Sequence, residues 1–351
     1  MLKASVIGAG WFAAANHIPV LARRADVVLD GVCRLGAADL VRVRDHFGFA
    51  FASENYREVL ARRPDVVVVA SPHHLHHEHA RAALEAGAHM LVEKPMTLDP
   101  ADAWDLVEMA ERLNRHLLVA NGYHYLPGLE PARAAIPRLG TIEHVSCRFD
   151  SATRPVFSGT TGFQRWRETF FRPDISTWQD PGQGGGFAYG QLSHSIALLL
   201  WLTGLRAESV AAMAWSEGAI DLHDAAAVRF GGGAVGTING GAGVPEGGEA
   251  RMRIAVTGEH GILDLAVDLG RCVLELHDGT IESMDAPRGG WHYTCEGPVD
   301  RLCDLAHGTG ENLSPGEIGA RTVDVIAAMR ESAKAGGQVV IISDRNDFGA
   351  K

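Results

Sequence analysis

Lys94 is the residue of this chain with the plainest chemical potential, because it stands between Glu93 and Pro95 directly behind the apolar run 90–92. An ammonium group there can hydrogen-bond a hydroxyl and stabilise the alkoxide that develops as hydride leaves the attached carbon. Glu93 can orient the lysine or meet a ribose, and Pro95 fixes the chain just beyond. A surface ion pair at a helix start is the plain alternative. A second polar group comprises Trp178, Asp180, Gly184-Gly185-Gly186, Tyr189, Gln191 and His194, at the mouth of an apolar helix. Three successive glycines are costly in conformational entropy, which points to close backbone approach. Gln191 and His194 share a helix face, with Tyr189 near its rim. A neutral imidazole at His194 can take the proton that an alcohol loses on oxidation.

The third constellation opens the chain. Gly8-Ala9-Gly10-Trp11-Phe12-Ala13 follows a predicted strand, 2–7, and starts a predicted helix, which is the setting a dinucleotide turn requires. Gly8 permits the tight turn, Gly10 lets backbone approach a pyrophosphate, and Ala13 lets helix pack on sheet. The helix start, with Trp11 and Phe12, offers free N–H groups to phosphate. Asp30 lies inside the second apolar run, whereas Arg34 occupies its end. A guanidinium there suits the extra phosphate of NADP, so NADP is preferred and NAD remains possible. Arg42 and Arg44 on the next helix can assist.

The run from His73 to His79 holds five histidines but no HExxH order, so it reads as a loop beside the cofactor and no metal is expected. The five cysteines are widely scattered and read as free thiols.

These groups need elements to hold them. Continuous apolar strands at 2–7, 27–32, 66–70, 90–92 and 117–120 alternate with helical spacing, the pattern of a doubly wound parallel sheet. After Asn121-Gly122 the pattern changes to longer alternating strands at 142–149, 225–230, 234–239, 251–257, 261–266 and 272–277. Helices are predicted at about 129–138, 190–202 and 314–334, and a short strand at 339–342. The fold class is therefore an α/β Rossmann domain, 1–122, followed by an α+β domain, 123–351, with a mostly antiparallel open sheet. That second domain is expected to bind substrate and carry oligomer contacts, its final helix packing back on the first.

The balance of 32 basic against 43 acidic side chains, a formal charge of -11, lacks the basic excess a nucleic-acid partner would need. No leader or membrane span is read, and a cytoplasmic location is the expectation.

Taken together, the chain resembles the glucose–fructose oxidoreductase and inositol dehydrogenase family over nearly its full length. The resemblance rests on Gly8-Ala9-Gly10, Ser71-Pro72 with His76, Glu93-Lys94-Pro95, the segment 178–194, and Ser332-Ala333 before the last strand. It implies a Rossmann domain for NAD or NADP and an open-sheet domain that supports dimers or tetramers. It also implies sugars, polyols or related cyclic compounds as substrates. By position, Lys94 and His194 are the implied catalytic residues. Ser71, Pro72 and His76 match the loop bordering the nicotinamide, although His73 stands where asparagine is common. His124 falls near the cleft, with Trp178, Tyr189 and Gln191 as further substrate contacts. One departure matters: Gly190 replaces the aspartate that the family carries four residues before its histidine. The reading is an NAD(P)-dependent oxidoreductase of a sugar-like compound. Redox-assisted glycoside cleavage or elimination, and a non-catalytic NADP-binding sensor, are the alternatives.

Overall fold

The computed structural model describes residues 1–158, 170–172, 176–286 and 293–343. The described chain forms two compact units. One holds residues 1–125, 170–172, 176–184 and 293–320; the other holds 126–158, 185–286 and 321–343.

The first unit is built on β1 (Leu2–Ile7), β2 (Val27–Cys33), β3 (Phe51–Ser53), β4 (Val66–Val69), β5 (His89–Val92) and β6 (Leu117–Val119). Their order is β3-β2-β1-β4-β5-β6, all parallel. The central strands are largely apolar, and every residue of β4 is buried. The chain order reverses between β1 and β4, the switch point where such sheets bind ligands. Ile7 lies opposite both Cys33 and Val69, and Val69 lies opposite Val92. That register delivers Gly8, Arg34, Ala70 and Glu93 to one edge.

Local side-chain caps explain two helix starts here. Asp99 caps the helix Pro100–Arg112 by accepting from the Ala101 N–H, with proline in its first turn. Asn55 caps Tyr56–Leu60 by accepting from the Arg57 N–H. The helix Glu296–Ala306 has no counterpart in the sequence expectations, because Gly297-Pro298 imitates a turn. Proline is tolerated in a first turn, and Val299, Leu302 and Cys303 are fully buried in this unit's core.

The second unit contains β7 (Ile142–Asp150), β8 (Ala207–Glu217), β9 (Ile220–Phe230), β10 (Val235–Gly241), β11 (Arg251–Gly258), β12 (Gly261–Ala266), β13 (Arg271–Leu276), β14 (Ile281–Ser283) and β15 (Val340–Ile341). The order is β14-β13-β12-β11-β7-β10-β9-β8-β15. Only β7 and β10 pair in parallel; the other neighbours are antiparallel. The helix Ser193–Thr203 covers one face and is buried from Ser193 to Leu202. The opposite face is open, with Met213 and Trp215 more than half exposed.

The eleven residues of β8 were not expected as a strand. Four of them are alanine, which is depleted in strands, yet β8 pairs along its length with β9. No helix of the described residues is long and apolar enough to cross a membrane.

Candidate functional site

The turn after β1 is shaped by contact with the loop after β4. Gly8 has φ +84°, and a Cβ there would lie 2.3 Å from the Ser71 nitrogen. Gly10 is different: a Cβ would meet only the Gly8 oxygen, at 3.9 Å, so the space above it is open. Ala13 is fully buried against the core. The residues present thus fit a pyrophosphate lying over Gly10 at a helix start. Trp11 meets Phe12 edge-on at 5.2 Å between ring centroids, and meets Trp178 at 5.8 Å. Trp178, expected as a wall for substrate, therefore stands beside the glycine turn.

Arg34 follows β2 as expected, but its donors are already engaged. Nη2 donates to Asp39 at 3.1 Å, Nε to the Leu35 carbonyl at 3.1 Å, and Nη1 to the Ala9 carbonyl at 3.4 Å. Its guanidinium also lies 3.8 Å from the Phe171 ring centroid. Asp39 takes a second bond from Arg42 at 3.0 Å. Asp30 is buried and held by Arg62 at 2.6 and 2.9 Å, which removes it from any ribose.

The histidine run is absorbed by the protein itself. Each ring nitrogen of His76 faces a carbonyl oxygen, Pro95 at 2.9 Å and Ser71 at 2.8 Å. The residue is fully buried. His76 ties the loop after β4 to the loop after β5. His79 meets Ser71 Oγ at 2.9 Å, and His77 meets Asp105 at 2.8 Å. His124 is 1% exposed, with Nδ1 2.9 Å from the Leu313 carbonyl.

Glu93 is buried, and both its oxygens are used. Oε1 lies 2.7 Å from His17 Nε2, and Oε2 accepts the Lys94 backbone N–H at 3.0 Å. These bonds fix the carboxylate beside the backbone of the lysine that follows it. Burial pushes the Glu93 carboxyl up, but the hydrogen bond with His17, the positive charge of Lys94 and the Lys94 backbone N–H more than offset this, so its net shift is below the ordinary range. Burial pulls the Lys94 ammonium down, with Glu93 opposing. His17 carried no sequence signal beyond lying within the first helix.

In the second unit, Tyr189, Gly190 and Gln191 sit on a single π-helical turn, Ala188–Leu192, that leads into the helix bearing His194. Such turns are frequent at functional sites. Tyr189 is only 5% exposed, and the Arg330 guanidinium lies 4.8 Å from its ring centroid. A Cβ at Gly190 would come within 2.8 Å of the Phe157 ring. The space for the family aspartate is therefore occupied by an aromatic edge. The glycine run also serves the protein: Gly184 adjoins Leu98 and His73, and Gly186 adjoins Asp221.

Two carboxyls on β9 were missed altogether. Asp221 accepts the Ala188 N–H at 2.7 Å, and Asp224 is buried with Oδ2 lacking any hydrogen-bond partner among the described residues. Burial, then the Asp221 carboxylate, pushes Asp224 from 3.8 up to about 8, with Arg330 opposing. Below about 4 the group is protonated in both folded and unfolded chains. Between about 4 and 8 only the folded chain keeps the proton, so its contribution to stability is lost as pH rises through that window. Asp224→Asn removes the dependence. The variant's melting temperature minus that of the parent should climb from pH 5 to pH 8; a constant difference would refute the assignment.

Comparison with known proteins agrees with this geometry. Residues 2–121 match the model of an oxidoreductase family with an NAD-binding Rossmann fold, and residues 133–264 match the GFO/IDH/MocA C-terminal domain. The chain belongs to the GFO/IDH/MocA oxidoreductase family. Within reach of it, D-glucoside 3-dehydrogenase of Escherichia coli (strain K12) is 33% identical over 125 residues, 35% of each chain. A glycosyl hydrolase family 109 protein of Streptomyces coelicolor is 43% identical over 60 residues, 17% of this chain and 13% of its own. Matches to curated relatives cover between 13% and 54% of those proteins. A levoglucosan dehydrogenase structure, in complex with NADH and L-sorbose, has a TM-score of 0.80 at 19% identity, covering 98% of this chain and 99% of that one. That likeness shows the family's fold.

Proposed function

We propose that this protein is a nicotinamide-dinucleotide-dependent oxidoreductase acting on a hydroxyl or carbonyl carbon of a sugar, polyol or related cyclic compound. The observation that carries the reading is the half-buried Lys94, its backbone N–H held by Glu93, at the same sheet edge as the open turn at Gly10. Gly8, Gly10 and the helix start after Trp11 hold the pyrophosphate, with Ser71 and Pro72 in the adjoining loop. The bound nicotinamide supplies the hydride acceptor or donor. Lys94 hydrogen-bonds the reacting oxygen and stabilises negative charge on it. His194 exchanges the proton with that oxygen, directly or through water. Gln191 and Tyr189 are polar contacts for substrate, and Trp178 flanks the dinucleotide turn. The residues of the second unit, with the open sheet face, serve substrate binding and association with a second copy.

The surroundings of Arg34 turn the cofactor preference from NADP towards NAD. A 2′-phosphate beside Arg34 meets the Asp39 carboxylate, whereas a free ribose diol can donate to that carboxylate. NADH-containing relatives support the same choice. NAD is expected to bind more tightly than NADP, and Asp39→Asn should tighten NADP by about tenfold through relief of about 1.4 kcal/mol of repulsion. Calorimetric titration of both cofactors checks this; unchanged NADP affinity in the variant refutes the Asp39 argument.

A second reading, redox-assisted glycoside cleavage, is favoured by one observation: Phe157 fills the place of the family carboxylate at Gly190. Net NADH formation from NAD and a panel of sugars and polyols separates the two. Accumulating NADH supports the dehydrogenase, while released aglycone with no net NADH supports cleavage. Neither product sinks the enzymatic reading.

A further inference from the structure

The imidazole of His17 is fully buried on the π-helical turn Ala13–His17, directly after the dinucleotide turn. Its Nε2 lies 2.7 Å from Glu93 Oε1, and because an ionised carboxylate only accepts, Nε2 is the donor. Its Nδ1 has no hydrogen-bond partner among the described residues. A buried polar pair with an unsatisfied nitrogen is a poor device for stability, since apolar side chains of similar volume fill such space at less cost. Its geometry has a different consequence. Glu93 has two oxygens, and His17 takes one while the Lys94 backbone takes the other. With both fixed, the carboxylate can neither rotate nor drift from the lysine that follows it.

We propose that His17 is a positioning residue for Lys94: by donating to Glu93 it locks the counter-charge of the lysine and the turn that presents it. This inference rests on the role of Lys94 stated above, but its test does not require a substrate.

Among the described residues, the titratable groups His73, His76, Tyr293 and Cys295 near this pair favour their neutral forms. Burial pulls His73 and His76 below their ordinary value, and pushes Tyr293 well above its own and Cys295 up to about 12. Among the described residues Glu93 is an anion that supports the charged form of Lys94. A loosened Glu93 leaves the ammonium less compensated in a buried place, and its deprotonation midpoint falls.

The chain has four lysines, Lys3, Lys94, Lys334 and Lys351, so protein labelled with carbon-13 at lysine Cε gives few resonances to follow. Lys94→Arg identifies the Lys94 signal. Glu93→Gln should lower the Lys94 titration midpoint by about one pH unit or more. His17→Leu should lower it in the same direction, and His17→Gln, which keeps an N–H donor, should restore most of the loss. If His17→Leu does not fold, His17→Phe fills the same slot and carries the test. A His17→Leu midpoint equal to the parent's, alongside a shifted Glu93→Gln midpoint, reduces His17 to packing and overturns the proposal. So does an unmoved midpoint in both. A shift as expected in a protein that reduces no NAD with any sugar would leave the positioning role standing and remove the catalytic one.

Discussion

Lys94→Met is expected to lower kcat by about a thousandfold, the scale on which removal of one charge-stabilising donor acts. Dinucleotide affinity should change by less than about threefold, because the side chain acts on the reacting oxygen rather than on the pyrophosphate. The size follows from where the group sits. Lys94 follows β5 at the ligand-binding edge, its backbone is held by Glu93, and it is half-buried, with desolvation pulling its ammonium below the ordinary range. A charge in such surroundings interacts more strongly with a developing alkoxide than an exposed lysine does. Methionine retains the length and apolar stem but donates nothing. Stopped-flow hydride transfer and fluorescence titration of the dinucleotide measure the two quantities separately. Equal turnover in the variant would remove Lys94 from the chemistry, and a parallel collapse of dinucleotide affinity would reassign it to binding.

Gly8→Ala should be the most destructive single methyl in the first unit. The new Cβ would lie 2.3 Å from Ser71 N and 2.5 Å from Ser71 Cα, both backbone atoms, at a φ of +84°. No rotamer change relieves a clash with backbone, so the loops after β1 and β4 must part. The expected loss is about 3 kcal/mol or more, from combined left-handed strain and overpacking. Gly10→Ala is the informative partner. Its Cβ projects into open space, so stability should stay within about 1 kcal/mol of the parent. Dinucleotide affinity should nevertheless fall by about tenfold or more, as the methyl occupies the approach to the pyrophosphate. Denaturant unfolding and cofactor titration on the two variants test the pair. If Gly10→Ala binds as the parent does, phosphate does not lie over that turn.

The two predictions rest on different kinds of information. Gly8 and Gly10 look alike in sequence, and both fit the dinucleotide pattern. Only the neighbouring strand distinguishes them, because Ser71 comes from a loop that is remote in sequence. Arg34 shows the same division: its position after β2 is legible, but its engagement by Asp39 depends on how the next helix turns. The histidine run shows it again. Five histidines in seven residues invite a metal, yet His76, His77 and His79 are bound to Ser71, Pro95 and Asp105.

The parallel sheet of the first unit could be read because its determinants are local: unbroken apolar strands, glycine stops, and caps such as Asp99 before Pro100. The same holds for Gly8 to Ala13 and for Glu93-Lys94-Pro95, whose residue types state their chemistry within a few positions. β8 escaped because alanine carries little strand preference, and its pairing with β9 is a property of the assembled sheet. His17 with Glu93, Asp221 with Asp224, and Phe157 in the place left by Gly190 escaped for a related reason. Each is set by burial and by a partner brought close through packing. A sequence displays residue types and their spacing along the chain; desolvation and proximity in space, which decide which carboxyl keeps its proton and which lysine keeps its counter-charge, arise only once the chain has folded.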